Sequence, residues 1–390
     1  MLRRVYTGID IGTYHVKVAI AAAPESADGP LHVIGTGTAV SRGLRHGYIV
    51  DSTEATKCIK EALERAQGNA KVKVHSASVA IGGVGLDELR ATGEVTLTPS
   101  GGVVTERDIE RVLRESEKRS APRLINRTIV HTLPLEYRVD GNKVLGTPEG
   151  LQGAKLSVDT LLVTMLEKHH DDLMAAVEAT GIEVEHIVAS PIAASLTTLT
   201  KAQRSAGVAL ANIGSETLSI IVFDNDVPIS VKIFPIGSNE ITHSLALSFQ
   251  IPLSDAEQMK RGTILGSDIP SKKMQHVVHS RVKDMFTLIA AHLKTIGRHQ
   301  LLPAGIVLTG GGSSVMSGVD IARAVLKIPS QVGLNLSLRT AGPTDASWAV
   351  AYGLCRWAFY EDIQKEVTSF RDVFRDAWAA IKQFGASLLP

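Results

Sequence analysis

Short runs of β-branched apolar residues, alternating with small and polar ones, begin near the start of the chain and break repeatedly at glycine. Residues 5–10 and 16–21 are two such runs flanking Gly12 to His15, which predicts a hairpin, and 31–40 adds a third strand. The period then changes. Ala55, Ile59, Ala62 and Leu63 recur at helical spacing with Asp51 or Ser52 placed to cap them, so 52–67 reads as a helix. A strand over 72–81 ends in Gly82 and Gly83, and strands joined by helical crossovers make an α/β domain. From 83 to 164 the pattern shifts to a compact β/α insert. It holds a helix over 106–119, opened by Thr105 with Asp108 at the third helical position, and strands at 127–133, 135–139 and 156–164. The first pattern resumes with a helix at 167–180, closed by Gly181, and a strand at 184–189.

A second glycine-broken hairpin starts at Gly207 and echoes the first, as duplication of one α/β unit would produce. Residues 237–303 read as mostly helical, 305–312 as a strand with a glycine turn, and 346–360 as the last helix of the body. A chain of 390 residues exceeds one ordinary core, so two lobes, themselves subdivided, are expected. The formal net charge of +1 gives no case for nucleic acid as a partner. Two cysteines, Cys58 and Cys355, are too few for a disulfide framework or a thiolate metal site, which suits a reducing cytoplasm. Arg3 and Arg4 lead straight into a strand rather than a signal-peptide core, and no apolar run is long enough to span a bilayer.

The glycine-bearing strand ends carry the chemistry. They are TGIDIGTYHVK from Thr7, VALANIGSETLSI from Val208 and GIVLTGGGSSVMSG from Gly305. None is a P-loop. Hairpins so far apart in sequence belong to separate lobes, and backbone N–H groups at glycine turns suit phosphate oxygens, so a nucleotide clamped across a cleft is expected. Asp10, at a strand end, is placed to hold a hydrated Mg²⁺ against the phosphates while Gly12, Thr13 and Tyr14 present N–H groups. Asn212 holds the equivalent place in the second hairpin but brings no negative charge. Gly310, Gly311 and Gly312 leave room for a flat adenine ring, and Glu257 and Lys260, three apart on one helical face, could reach ribose hydroxyls. No Ser/His/Asp or metal-ligand constellation stands out, so no catalytic residue is assigned; His169 and His170 read as the exposed start of a helix.

The end of the sequence has a different character. On a helix, Phe370, Val373, Phe374, Trp378, Ile381, Phe384 and Leu388 fall within roughly 140° of arc, bordered by Arg371, Arg375 and Lys382. Three phenylalanines and one of the chain's 3 tryptophans lie in this tail. Such a face is expected to lie in a membrane interface, reversibly for one tail and firmly for several carried on a polymer.

The ordered hairpins, the late TGGG and the amphipathic tail together resemble the FtsA family of bacterial cell-division proteins, within the actin-like ATPase superfamily. SRGLRHGYIVD from Ser41, HTLPLEYRVDG from His131, TPEGLQGAKLSVD from Thr147 and LLPAGIVLTGGGS from Leu301 carry the likeness across the whole chain. The resemblance implies a two-lobed fold of duplicated ribonuclease H-like domains. Its expected subdomains are 1–82 with 165–206 (1A), an SHS2-like insert at 83–164 (1C), 207–236 with 304–360 (2A) and 237–303 (2B), followed by a linker and membrane-targeting helix at 361–390.

The same resemblance implies bound ATP and Mg²⁺, self-polymerisation, and a place on the cytoplasmic face of the inner membrane at the division site. Lys17, Gly214, Ser215, Thr217, Gly237 and Ser313 join the expected nucleotide contacts. It further implies that 2B binds the C-terminal peptide of the tubulin-like protein FtsZ and that 1C contacts other division proteins. Eight Lys or Arg against five Asp or Glu between 237 and 303 suit an acidic peptide, with Arg281, Lys294 and Arg298 as candidates. Where the family usually shows an Asp-Ile-Gly-Gly-Gly-Thr-Thr-Asp type run, this chain has Asn212 to Ser219, in which both aspartates and two of the glycines of that run are replaced, so slow or absent hydrolysis is expected. A PilM-like pilus assembly scaffold, and less closely a small-molecule kinase on the same fold, are the alternatives.

Overall fold

The first alternating run folds as β1 (Val5–Ile11) and β2 (His15–Ala22), antiparallel with Ile11 opposite Val16, and β2 continues antiparallel to β3 (Leu31–Val40). The computed structural model describes residues 4–24, 29–97, 102–263, 271–315, 317–334, 338–340 and 342–363. The tail carrying Phe370, Val373, Phe374, Trp378, Ile381, Phe384 and Leu388 thus lies outside the described residues. After β3 a loop holds the two-residue strands β4 (Leu44–Arg45) and β5 (Tyr48–Ile49). Helix α1 (Ser52–Ala70) begins at Asp51, whose side chain accepts the Glu54 N–H, and ends where Lys71 turns left-handed. Strand β6 (Ser76–Ile81) starts later than the sequence suggested, because 72–75 make no ladder.

The insert follows: β7 (Asp87–Thr96), α2 (Glu106–Ser120), β8 (Arg127–Val139), β9 (Asn142–Val144) and β10 (Lys155–Leu166). Thr105 and Asp108 close the predicted capping box. The two strands expected at 127–133 and 135–139 are one. Pro134 sits inside β8 opposite Thr160 at a register shift, where a residue without N–H is tolerated because β9 covers only the far end of the strand. Then come α3 (Glu167–Glu178), β11 (Glu183–Ala189), α4 (Ser190–Thr198) and α5 (Lys201–Ala206). The second hairpin is β12 (Val208–Ile213) and β13 (Leu218–Asp224), extended by β14 (Val227–Phe234). Helices α6 (Asn239–Phe249), α7 (Leu253–Lys260) and α8 (Ser271–Thr295) precede β15 (Ile306–Thr309), α9 (Gly318–Leu326), β16 (Ser330–Val332) and β17 (Leu338–Thr340). The last helix, α10, spans 349–363.

Three main sheets result. The first runs β11-β6-β1-β2-β3-β17, the second β14-β13-β12-β15-β16, and the insert sheet β7-β10-β8-β9. Strand alternation sorts the core. Val16, Val18 and Ile20 of β2 face the α1 side with Ile59 and Leu63, whereas Ala19 and Ala21 face Trp348, Tyr352 and Cys355 on the α10 side. Gly8 completes that second face, since a Cβ there would come within 2.3 Å of the Ala351 carbonyl oxygen. Strand β17 and α10 therefore belong with the first sheet. The sequence reading had assigned all of 304–360 to the second lobe; small residues on β1 and β2 draw the returning chain across instead.

The insert touches both lobes. His131 of β8 is buried, accepts the Ala189 N–H on Nε2 and meets Trp357 of α10 edge-on. Burial alone pushes its pKa down to about 4. On the other side, Glu88 accepts from the Val231 N–H and the Ser230 hydroxyl, Arg90 donates to the Ile229 carbonyl, and Asp87 pairs with Lys232. These side chains from β7 occupy backbone groups along the outer edge of β14.

Candidate functional site

Strands β1 and β12 both end at a glycine because the chain must reverse within four residues, and both turns open into one cavity of about 500 Å³ between the lobes. Asp10, Gly12, Thr13, Tyr14, Lys17, Asn212, Gly214, Ser215, Thr217, Glu257, Lys260 and the three glycines 310 to 312 all line it. Two expected contacts do not. Gly237 packs beneath Ser215, where a Cβ would lie 2.4 Å from its carbonyl oxygen, and Ser313 turns its hydroxyl back to the Gly310 carbonyl at 2.7 Å. Both support the walls.

Asp10 and Lys17 face each other across the first hairpin ladder. Burial pushes the Asp10 carboxyl up to about 6, with Lys17 pulling the other way, and the surface Asp10 retains faces the cavity. Lys17 is itself pushed down by burial, against the pull of Asp10 and Asp345, and its Nζ donates to the Ser347 carbonyl at 2.8 Å. A carboxyl held this high is one whose ionised form is under-compensated, and a divalent cation beside it would supply what is missing. Asn212 keeps the geometry without the charge. Its Oδ1 lies 2.2 Å from where a Cβ on Gly310 would sit, and Gly310 has φ +86, so only glycine fits there.

The opposite wall is a network of charges. Burial would raise the Glu257 carboxyl, but hydrogen bonds from Lys260, Thr242 and Arg261 outweigh it and hold the pKa at about 2. Lys260 also donates to Thr242 Oγ1 at 2.9 Å. This carboxylate is ionised and fixed by three donors, which leaves it able to accept from a hydroxyl group and makes it a poor proton base.

Side chains and backbone at the turns join the lobes, and the His46 ring nitrogen Nδ1 also lies 3.4 Å from the Glu216 carbonyl. The Thr13 and Ser215 hydroxyls meet at 2.5 Å, the Tyr14 hydroxyl accepts from Arg261 at 2.7 Å, and the Glu216 carboxylate accepts the His46 backbone N–H at 2.5 Å. Sequence reasoning missed Arg261, although it adjoins Lys260, and missed Asp345 and Ser347, which arrive only because α10 crosses back. It also misplaced His169. That residue is 3 % exposed, lines the cavity, donates from Nε2 to the Gly82 carbonyl at 3.2 Å and meets Tyr48 edge-on. Its neighbour His170 is half-buried and pairs with Asp171.

The three peptide candidates do not form one patch. Arg281 pairs with Asp284, and Arg298, beyond α8, is tied to Asp224 at 2.7 Å. Thirteen positions separate Arg281 from Lys294, which places them about 140° apart on α8. The exposed positions Lys272, His276, His279 and Lys283 instead follow a single helical stripe, with no acidic residue between 271 and 283. Among the described residues no helix is long and apolar enough to cross a membrane.

Comparison with known proteins places this geometry. A family model described as "Cell division protein FtsA" matches residues 209–353, and one described as "SHS2 domain inserted in FTSA" matches residues 85–164. The chain is similar to the cell division protein FtsA of Pseudomonas aeruginosa, 30% identical over 363 residues that cover 88% of this chain and 85% of the relative. To that of Escherichia coli strain K12 it is 26% identical, with 99% and 98% covered. Among solved structures it is similar to the PilM-PilN type IV pilus biogenesis complex, with a TM-score of 0.68 at 17% identity over 92% of this chain and 99% of that one. A similar match is MreB5 of Spiroplasma citri bound to ADP, with a TM-score of 0.55 at 12% identity over 94% and 98%.

Proposed function

The chain belongs to the FtsA family of cell-division proteins, with the actin-like ATPase fold and its SHS2 insert, and from that premise we propose that it binds ATP, polymerises, and tethers FtsZ filaments to the cytoplasmic membrane. The observation that carries the nucleotide part is the single cavity in which both hairpin turns and the TGGG turn converge. The backbone N–H groups of Gly12 to Tyr14 and Ser215 to Thr217 hold the phosphates, Gly310 to Gly312 flank the base, and Glu257 with Lys260 takes the ribose. Asp10 holds Mg²⁺, which when bound neutralises charge on the phosphate oxygens. Lys17 leaves the Ser347 carbonyl to reach a phosphate.

Hydrolysis is slow or absent, and the nucleotide acts as a structural ligand controlling assembly. Of the cavity's carboxylates, Asp10 is committed to the metal, Glu257 is held ionised by three donors at a pKa of about 2, and Asp345 caps the turn before α10 through the Ser347 N–H at 2.9 Å. Residues 1–82 with 165–206 form subdomain 1A, joined by the returning 338–363; 83–164 form 1C, and 2A and 2B make up the second lobe. The α8 stripe of Lys272, His276, His279 and Lys283 takes the acidic FtsZ peptide, 1C contacts other copies and later division proteins, and the tail from Phe370 to Leu388 lies in the membrane interface at the division site.

A PilM-type scaffold shares this fold, but the family models and the 30% identical relative favour the division protein. Co-sedimentation with liposomes, full length against a chain ending at Glu366 and with or without the FtsZ peptide, tests the tether. Lipid binding should vanish on truncation while peptide binding persists. Lipid binding that survives truncation would sink the proposal.

A further inference from the structure

The two hairpin turns are built alike. Ile11 pairs with Val16 and Ile213 with Leu218, so turns 12–15 and 214–217 have one length and one frame, and Thr13 corresponds to Ser215 as Tyr14 does to Glu216. The corresponding hydroxyls of Thr13 and Ser215 touch, while the residue after each crosses to the opposite lobe. Tyr14 takes a hydrogen bond from Arg261, the residue that follows α7, whose guanidinium also lies 5.2 Å over its ring, and Glu216 takes the backbone N–H of His46 in the β3–α1 loop. That N–H is not free to swing. His46 is left-handed at φ +50, and its carbonyl is held by the Val84 N–H at 3.2 Å.

We propose that Tyr14 and Glu216 form a two-sided clasp that sets how fast nucleotide enters and leaves the cleft, an inference that rests on the nucleotide reading above. Hydroxyls 2.5 Å apart leave no room for a phosphate oxygen between them, so a ligand gripped by both turns requires the tips to part. Parting stretches both crossing contacts. Each is charge-assisted, through the Arg261 guanidinium on one side and the Glu216 carboxylate on the other, and such bonds are roughly twice as strong as neutral ones. The clasp also stands in the way on entry, which separates it from an ordinary ligand contact: weakening a contact speeds departure alone, whereas weakening a gate speeds both directions.

The test follows a fluorescent N-methylanthraniloyl ATP by stopped flow, on the full chain with Mg²⁺, measuring association directly and dissociation by chase with unlabelled ATP. Tyr14→Phe deletes the hydroxyl while keeping the backbone N–H and the ring, and Glu216→Gln deletes the charge while keeping an acceptor, with Glu216→Ala as the stronger partner. Each should raise both rate constants, by up to about tenfold for the loss of one charge-assisted bond, and Tyr14→Phe with Glu216→Ala should raise them further. Retained thermal unfolding by circular dichroism shows that the variants fold. A rise in dissociation with association unchanged would make these residues ligand contacts and overturn the clasp, as would no change in either rate. Wild-type protein giving no fluorescence response overturns the nucleotide reading instead, so the two failures are distinct.

Discussion

Replacing Asp10 with asparagine should stabilise the ligand-free protein at neutral pH while removing its response to Mg²⁺ and nucleotide. The Asp10 carboxyl titrates near 3.8 in the unfolded chain and is pushed up to about 6 in the fold. Between those values the folded state binds the proton that the unfolded state has released. Stability from this group is therefore complete below pH 3.8, falls as pH rises through the window, and is lost above 6. At ~1.4 kcal/mol per pH unit the loss is about 3 kcal/mol. Asparagine carries no such charge. It does, however, deprive Lys17 of a neighbour, leaving Asp345 and the Ser347 carbonyl to balance the ammonium, so the net gain falls to about 1–3 kcal/mol. Urea denaturation of wild type and Asp10→Asn at pH 4 and pH 7.5 measures this as a difference between chains that share every other titrating group. The two should be alike at pH 4 and diverge in favour of the variant at pH 7.5. A variant equal to or weaker than wild type at pH 7.5 would refute the account of Asp10 as a strained, cation-seeking carboxylate.

Three further outcomes are expected. His131, held neutral with its pKa near 4 against 6.5 unfolded, contributes stability that is full above pH 6.5 and falls by about 3 kcal/mol as pH drops to 4; a His131→Gln chain should lack that slope in the same denaturation series. Gly310→Ala combines a left-handed backbone with a Cβ 2.2 Å from Asn212 Oδ1 and 2.6 Å from the Ile213 carbonyl, and should lose about 2–4 kcal/mol by thermal unfolding; an unchanged midpoint would show that the TGGG turn is not held as described. Thr105→Ala opens the capping box of α2 and should cost about 1 kcal/mol, read as faster amide exchange confined to the insert's helix.

Both hairpins were legible because glycine and hydroxyl residues break β-branched runs in the same way at two places, and α1 and α2 because their caps sit at fixed offsets. Most of the cavity wall followed from these, since residues at a strand end are placed by the strand. Strand β7 was not legible. Gly93 alone is buried along its length, and its polar residues are spent on β10 and on the edge of β14, so no alternation marks it. The destination of α10 could not be read either. Residues 349–355, apolar on every side, say that the start of α10 is buried, and only the close approach of Gly8, Ala19 and Ala21 decides against which sheet. His169 looked like a surface residue because its helix start is polar, yet the β6 end and Tyr48 close over it. The peptide candidates lie apart for a simpler reason: counting charge across a segment does not place it on one face of a helix.

The return of α10 to the first sheet fixes where mechanical load enters the molecule. Arg4, just before β1, is bonded to Asp362 at 2.7 Å, and Tyr6 meets Phe359 edge-on, so the far end of α10 is tied to the strand that carries Asp10. Tension on the chain beyond residue 363 is delivered as shear along β1 rather than as peeling at a loop. Under the proposed function, a filament hauled through α8 against a membrane at the other end would strain the molecule across its cleft, and a nucleotide there would feel the pull.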